Sequence, residues 1–187
     1  WLTISIVLAL TSVVLASTYS SYIVVDSGTQ GSAGVIPSTG TNQQLFSHDT
    51  AYAWLKIKTP QESAPSGTYH VKVTAYVTMY WKVYGSWPSG YGSSFIYLGA
   101  RAAGKWYQDG LVFSDTAASG QTIERNGYTT TLQWTSTSTV TGGDAVEAYL
   151  EWHGESSGIG SYVHRLVSGQ WTYALLQVHS ITIEYVP

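Results

Sequence analysis

The chain has 187 residues, of which 10% are charged and 14% aromatic, with a net charge of −3 and no cysteine. This length allows one ordinary globular domain plus an appendage. The charge balance and the lack of a basic cluster exclude nucleic acid as a partner, and the missing cysteines exclude disulfides, thiolate catalysis and cysteine-ligated metals.

Residues 1–25, WLTISIVLALTSVVLASTYSSYIVV, contain no ionisable side chain; the first is Asp26. As a helix this run is about 38 Å long at 1.5 Å per residue, enough to cross a bilayer core. It is apolar on every side, with Ser5, Ala9, Ser12, Ala16 and Ser20 spaced so as to line one helical face. Val14-Leu15-Ala16 is an acceptable signal-peptide cleavage site. The absence of a methionine and a basic n-region instead reads as a leader already removed. A strand is the rival conformation, because Leu2, Ile4, Ile6, Leu8 and Leu10 alternate with a period of two. Such a strand would insert into the open sheet of the next subunit.

Residues 28–43 are rich in Gly, Ser and Thr and read as a linker. From residue 44 the pattern is β. In 70–84, Val71, Val73, Ala75, Val77, Met79, Trp81 and Val83 alternate with polar or half-polar residues, predicting a strand with one buried face. Val146, Ala148, Leu150 and Trp152 alternate in the same way, and further strands are expected over 51–58, 95–102, 111–113, 121–134 and 171–186. Asn126-Gly127 carries a two-residue hairpin signal. The expected fold class is therefore α+β: an N-terminal helix over 1–27, the linker 28–43, and an antiparallel, immunoglobulin-like sandwich over 44–187.

This layout resembles a mature type IV pilin of the archaeal kind, which begins with an apolar helix and continues into a β-rich head. The chain departs from the common bacterial pattern by having Trp1 and Ser5 where Phe and Glu are usual, and it cannot form a C-terminal disulfide. The resemblance implies an extracellular, adhesive filament that polymerises with copies of itself. The subunit would pass through the membrane and a secretion platform before assembly. Its buried assembly core would be Trp1, Leu2, Ile4, Ile6, Leu8, Leu10, Val13, Val14 and Leu15. The two asparagines lie outside any N-glycosylation sequon, so O-linked sugar on the many Ser and Thr is the open modification. Few Asn and Met side chains also fit a thermophilic source.

No catalytic, cofactor-binding or metal-binding set emerges. Glu147 and Glu151 share a strand face but lie about 13 Å apart at 3.3 Å per residue, too far to act as a pair. Glu124 and Glu184 would need a cross-strand meeting that nothing in the sequence specifies. His48, His70, His153, His164 and His179 are scattered, with no ligand spacing. The most suggestive local feature is the Gly-rich loop carrying Tyr84, Trp87 and Tyr91, which suits contact with a neighbour or stacking on a sugar. A membrane-anchored carbohydrate-binding module or glycosidase is therefore the alternative from another functional class.

Overall fold

The computed structural model describes residues 15–187. Among them it contains strands and no helix. The β-branched and aromatic alternation dominates, and every named strand pair is antiparallel. The strands are β1 (Leu15–Tyr19), β2 (Ile23–Ile36), β3 (Asn42–Lys58), β4 (Glu62–Ser63), β5 (Thr68–Tyr84) and β6 (Tyr91–Ala102). They continue as β7 (Trp106–Ala117), β8 (Thr122–Thr141), β9 (Ala145–Ser157), β10 (Tyr162–Val167), β11 (Gln170–Thr172) and β12 (Ala174–Val186).

The strands form one continuous sheet folded onto itself as two layers. One layer runs β8-β5-β12-β1; the other runs β2-β3-β9-β6-β7. β3 joins the layers. Its first residues pair with β12 and β10, and its remainder pairs with β9. The core lies between the layers. Val71, Val73, Ala75, Val77, Met79, Trp81 and Val83 of β5 are all buried, facing Leu55, Ile57, Ile96, Leu98, Leu150 and Trp152 within the same cluster. Trp81 stacks on Trp152 at 5.5 Å between ring centroids, and each indole N–H finds an acceptor: Asp115 Oδ2 and Ser94 Oγ, both at 2.9 Å.

The expected N-terminal helix, and with it the α+β class and the helix-cored pilin, is overturned by this architecture. Leu15 to Tyr19 pair residue by residue with Tyr185 to Ile181, and Ile23 starts β2. An uncharged run satisfies either backbone; here the unpaired edge of β12 provides hydrogen bonds that a helix would have to supply for itself. Trp1, Leu2, Ile4, Ile6, Leu8, Leu10, Val13 and Val14 lie outside the described residues. No helix among the described residues is long and apolar enough to cross a membrane.

The segment read as a linker holds the second half of β2, which pairs with β3 from Ile23↔Lys58 to Ile36↔Gln44. Its glycines make room for aromatic rings from β3. A Cβ on Gly28 would stand 2.2 Å from the Trp54 indole, and one on Gly34 would stand 2.4 Å from the Phe46 ring. Asn126-Gly127 makes no hairpin either. β8 runs straight through, and Gly127, at φ 78°, sits in a bulge where the register with β5 shifts between Met79 and Tyr80.

Candidate functional site

Two adjacent strands in this fold share no named backbone pairing. β7 pairs only with β6, and β8 only with β5. Yet β7 and β8 follow each other in sequence and run side by side on opposite layers. Successive side-chain contacts trace the seam between them. At one end the Arg125 guanidinium makes two hydrogen bonds to Asp115, 2.9 Å from Nε to Oδ2 and 2.7 Å from Nη2 to Oδ1. In the middle, Gly110 lies against Trp134, where a Cβ would come within 2.8 Å of the indole. Further along, Gln108 Oε1 accepts from the backbone N–H of Thr137 at 3.0 Å and of Ser138 at 3.3 Å, while its Nε2 donates to Ser138 Oγ at 2.8 Å. Trp106 Nε1 donates to the Thr139 carbonyl at 3.1 Å.

Side chains thus do part of what a neighbouring strand would do. In an antiparallel strand alternate residues turn their N–H and C=O groups to each side, so a strand paired on one side only presents a row of groups on the other. Folded proteins guard such edges with Lys, Pro or short length. β7 and β8 contain no Lys or Pro, and residues 129–141, TTTLQWTSTSTVT, carry no charge. Beside the seam, a hollow of about 380 Å³ is lined by Tyr107, Gln108, Asp109, Trp134, Thr135 and Thr137. Elsewhere on the two strands, Leu111 and Tyr128 are exposed. Asp115 itself is almost fully buried and also accepts from Trp81, so this end of the seam is tied to the core.

The residues singled out from sequence do not converge. Leu15 lies on β1, exposed at the rim. Tyr84 ends β5 and packs on Tyr162 at 5.2 Å; Trp87 is 80% exposed; Tyr91 lies on β6 with its hydroxyl donating to Glu155. The carboxylates are taken up in pairs. Glu147 binds Lys58 at 2.8 Å, Glu151 binds Lys56 at 3.0 Å and His153 at 2.6 Å, and Glu184 binds Lys72 at 2.8 Å. Glu124 lies opposite Lys82 while Glu184 lies opposite Lys72, so about 33 Å of β5 separates them at 3.3 Å per residue.

His153 joins the Tyr52 hydroxyl to Glu151, a hydrogen-bonded row on the outer face that sequence reading missed. The hydrogen bond from His153, with Lys56 next to it, holds the Glu151 carboxyl down at about 2, while burial pushes Tyr52 up to about 12. Both shifts follow from the hydrogen bonds, burial and charges of this row. Among the described residues no group of three or more potential ligands is placed to hold a metal ion. The seam had no sequence signal beyond the long uncharged Thr-rich run.

No family model matches the chain, and no curated protein matches it. Among solved structures it is similar to the enzymatically active domain of tailspike protein 4 from bacteriophage CBA120. That likeness has 10% identity and a TM-score of 0.31, and covers 87% of this chain but 19% of the other. It is also similar to the CBM22-1 xylan-binding domain of Paenibacillus barcinonensis Xyn10C, with 13% identity, 88% and 93% coverage and a TM-score of 0.26. The family 11 carbohydrate-binding module from Clostridium thermocellum gives 9%, 95% and 91%, and 0.27. TM-scores near 0.3 fall short of a shared fold, and what those proteins bind or cleave stays with them.

Proposed function

We propose that this chain is the subunit of an exported, self-assembled polymer joined by strand addition. The N-terminal apolar segment of one copy adds as a strand along the β7–β8 seam of the next. The observation that carries this reading is the seam: two long neighbouring edges, uncharged over most of their length and bridged by side chains. Two further features support it. Leu2, Ile4, Ile6, Leu8 and Leu10 have the period of a half-buried strand. And Leu15, the first described residue, is exposed and lies level with Tyr185 and Val71, three residues from the start of β5.

In this mechanism the incoming strand replaces the Gln108 and Trp106 bridges with backbone hydrogen bonds, and its apolar face covers the exposed Leu111. Each full-sized apolar side chain so buried contributes about 1.5–3 kcal/mol. The contact is head-to-tail and does not close on itself, so it propagates.

Light scattering and electron microscopy of single-site variants test it. Ile6→Asp and Leu8→Asp should abolish polymers, whereas Thr3→Asp and Ser5→Asp, on the other strand face, should be tolerated. Equal loss at all four positions would sink the strand mechanism. Because the chain has no cysteine, a mixture of Leu8→Cys and Leu111→Cys copies should oxidise to a mixed dimer; its absence would place the junction elsewhere.

A further inference from the structure

Far from the seam, the corner where β10 lies between β5 and β3 carries a continuous aromatic cluster. Tyr162 and His164 of β10 point outward beside His48 and Phe46 of β3, and the β10–β11 hairpin brings Trp171 over them. Trp171 lies 4.7 Å from the Tyr162 ring and 5.5 Å from His164, yet remains 52% exposed. Together, Trp171 and His164 border two hollows. The larger, about 310 Å³, is lined by His48, Gly160, Tyr162, His164 and Trp171; the smaller, about 150 Å³, reaches Phe46 and Tyr173. The larger lies at the lower end of small-molecule pockets, about 300–1,000 Å³.

The rim of the larger hollow is built, and at a backbone cost. Asp49 holds φ 61°, a conformation that non-glycine residues rarely adopt. It is fixed there by its N–H donating to the Ser161 carbonyl at 2.8 Å and by Gly160 N–H donating to its carboxylate at 2.7 Å. That placement brings Asp49 Oδ2 to 3.1 Å from His48 Nδ1, so an imidazole and a carboxylate stand together beside the aromatic faces. Burial, reinforced by nearby His48, holds His164 down at about 4, so it is neutral in ordinary solution. The Gly160 N–H keeps Asp49 ionised.

We propose that this corner binds a neutral saccharide, with sugar C–H faces on Trp171 and Tyr162 and sugar hydroxyls on His48 and Asp49. The chemistry on each side matches. A sugar ring presents an apolar face and a rim of hydroxyls, and the corner presents ring faces and a rim that both donates and accepts. A fixed carboxylate beside an uncharged His164 disfavours acidic sugars. Hollows on both sides of Trp171 suit a chain of at least two linked sugars rather than a single one. The site is independent of the polymer junction and uses none of its residues.

Affinity electrophoresis of the intact protein through gels containing hydroxyethylcellulose, xylan, mannan or dextran, with alginate as the acidic control, tests the proposal. At least one neutral polymer should retard the protein, and Trp171→Ala should weaken retardation at least tenfold with an unchanged thermal melt. Trp171→Phe should restore part of it, and Trp87→Ala should leave it intact. Retardation by none of the four neutral polymers, retardation by alginate alone, or retardation that survives Trp171→Ala would overturn it. So would a Trp171→Ala variant whose only change is in its association with other copies.

Discussion

β5 and the β7–β8 seam are both made of long strands, yet the fold treats them oppositely. β5 is paired along both edges, by β8 on one side and by β12 and β10 on the other, and its inward residues from Val71 to Val83 are sealed in the core. Across the seam the bridges are those of Gln108, Trp106 and Arg125 side chains. A backbone ladder is satisfied by any sequence that forms strands, so its stability comes from packing. Side-chain bridges hold only while those particular residues are present and unchallenged. The first region is therefore held by a ladder that no single side chain controls, and the second by a few particular side chains, which in the proposed assembly are what an added strand replaces.

The largest expected effect lies at the centre. Trp81→Ala removes a ring that is 1% exposed and stacked on Trp152, and leaves Asp115 without its indole donor. A loss of about 3–5 kcal/mol is expected in urea unfolding. If the loss were below about 1 kcal/mol, the core would not be where the fold's stability resides, and the contrast with the seam would collapse.

The aromatic corner, which abuts β5 through Tyr162↔Tyr84, gives the next effect and a pH signature. His164 is held at about 4 against an ordinary value of 6.5, chiefly by burial. A base whose folded value is depressed stabilises the fold above its unfolded value. The unfolded chain binds the proton first as pH falls, so stability declines between pH 6.5 and 4. At pH 5 the decline from this group is roughly 1–2 kcal/mol. Glu151, held at about 2, adds its own loss below the ordinary carboxylate range of about 4.5. His164→Phe should keep the ring stacking and flatten the decline between pH 6.5 and 4, leaving the Glu151 step in place. An unchanged slope would mean that His164 is wet and the corner loosely packed.

These regions were unequally legible in the sequence. The period-two burial of β5 and β9 was written in Val71 to Val83 and in Val146 to Trp152, because one face meets the core and the other meets water. The N-terminal segment was not. With no charge and no polar stripe, local pattern cannot choose between helix and strand, and for Leu15 to Tyr19 the choice fell to Tyr185 to Ile181, about 160–170 residues away. Gly28 and Gly34 looked like linker because a sequence does not show that Trp54 and Phe46 need their missing side chains. Trp87, the most conspicuous loop aromatic, is 80% exposed, whereas Trp171 gained its setting from its hairpin partner β10 and from β3, which is distant in sequence. Pairing between distant segments decides edges, and the candidate sites of this molecule lie at an edge and at a corner.

Gln108 gives the smallest effect on stability and the sharpest test of the seam. One amide side chain there serves the backbone N–H groups of both Thr137 and Ser138, next to a hollow open to solvent. Because water can replace it at an exposed edge, Gln108→Ala should cost only about 0.5–1.5 kcal/mol. Hydrogen exchange should nonetheless speed up at Thr137 and Ser138 while the amides of β5 stay protected. If an incoming strand must displace this bridge, removing it in advance lowers the barrier, and the variant should polymerise faster than the parent although it is less stable. Faster exchange with slower assembly would instead mean that Gln108 shapes the acceptor edge for its partner, and the seam would then be a preformed site rather than one the incoming strand has to open.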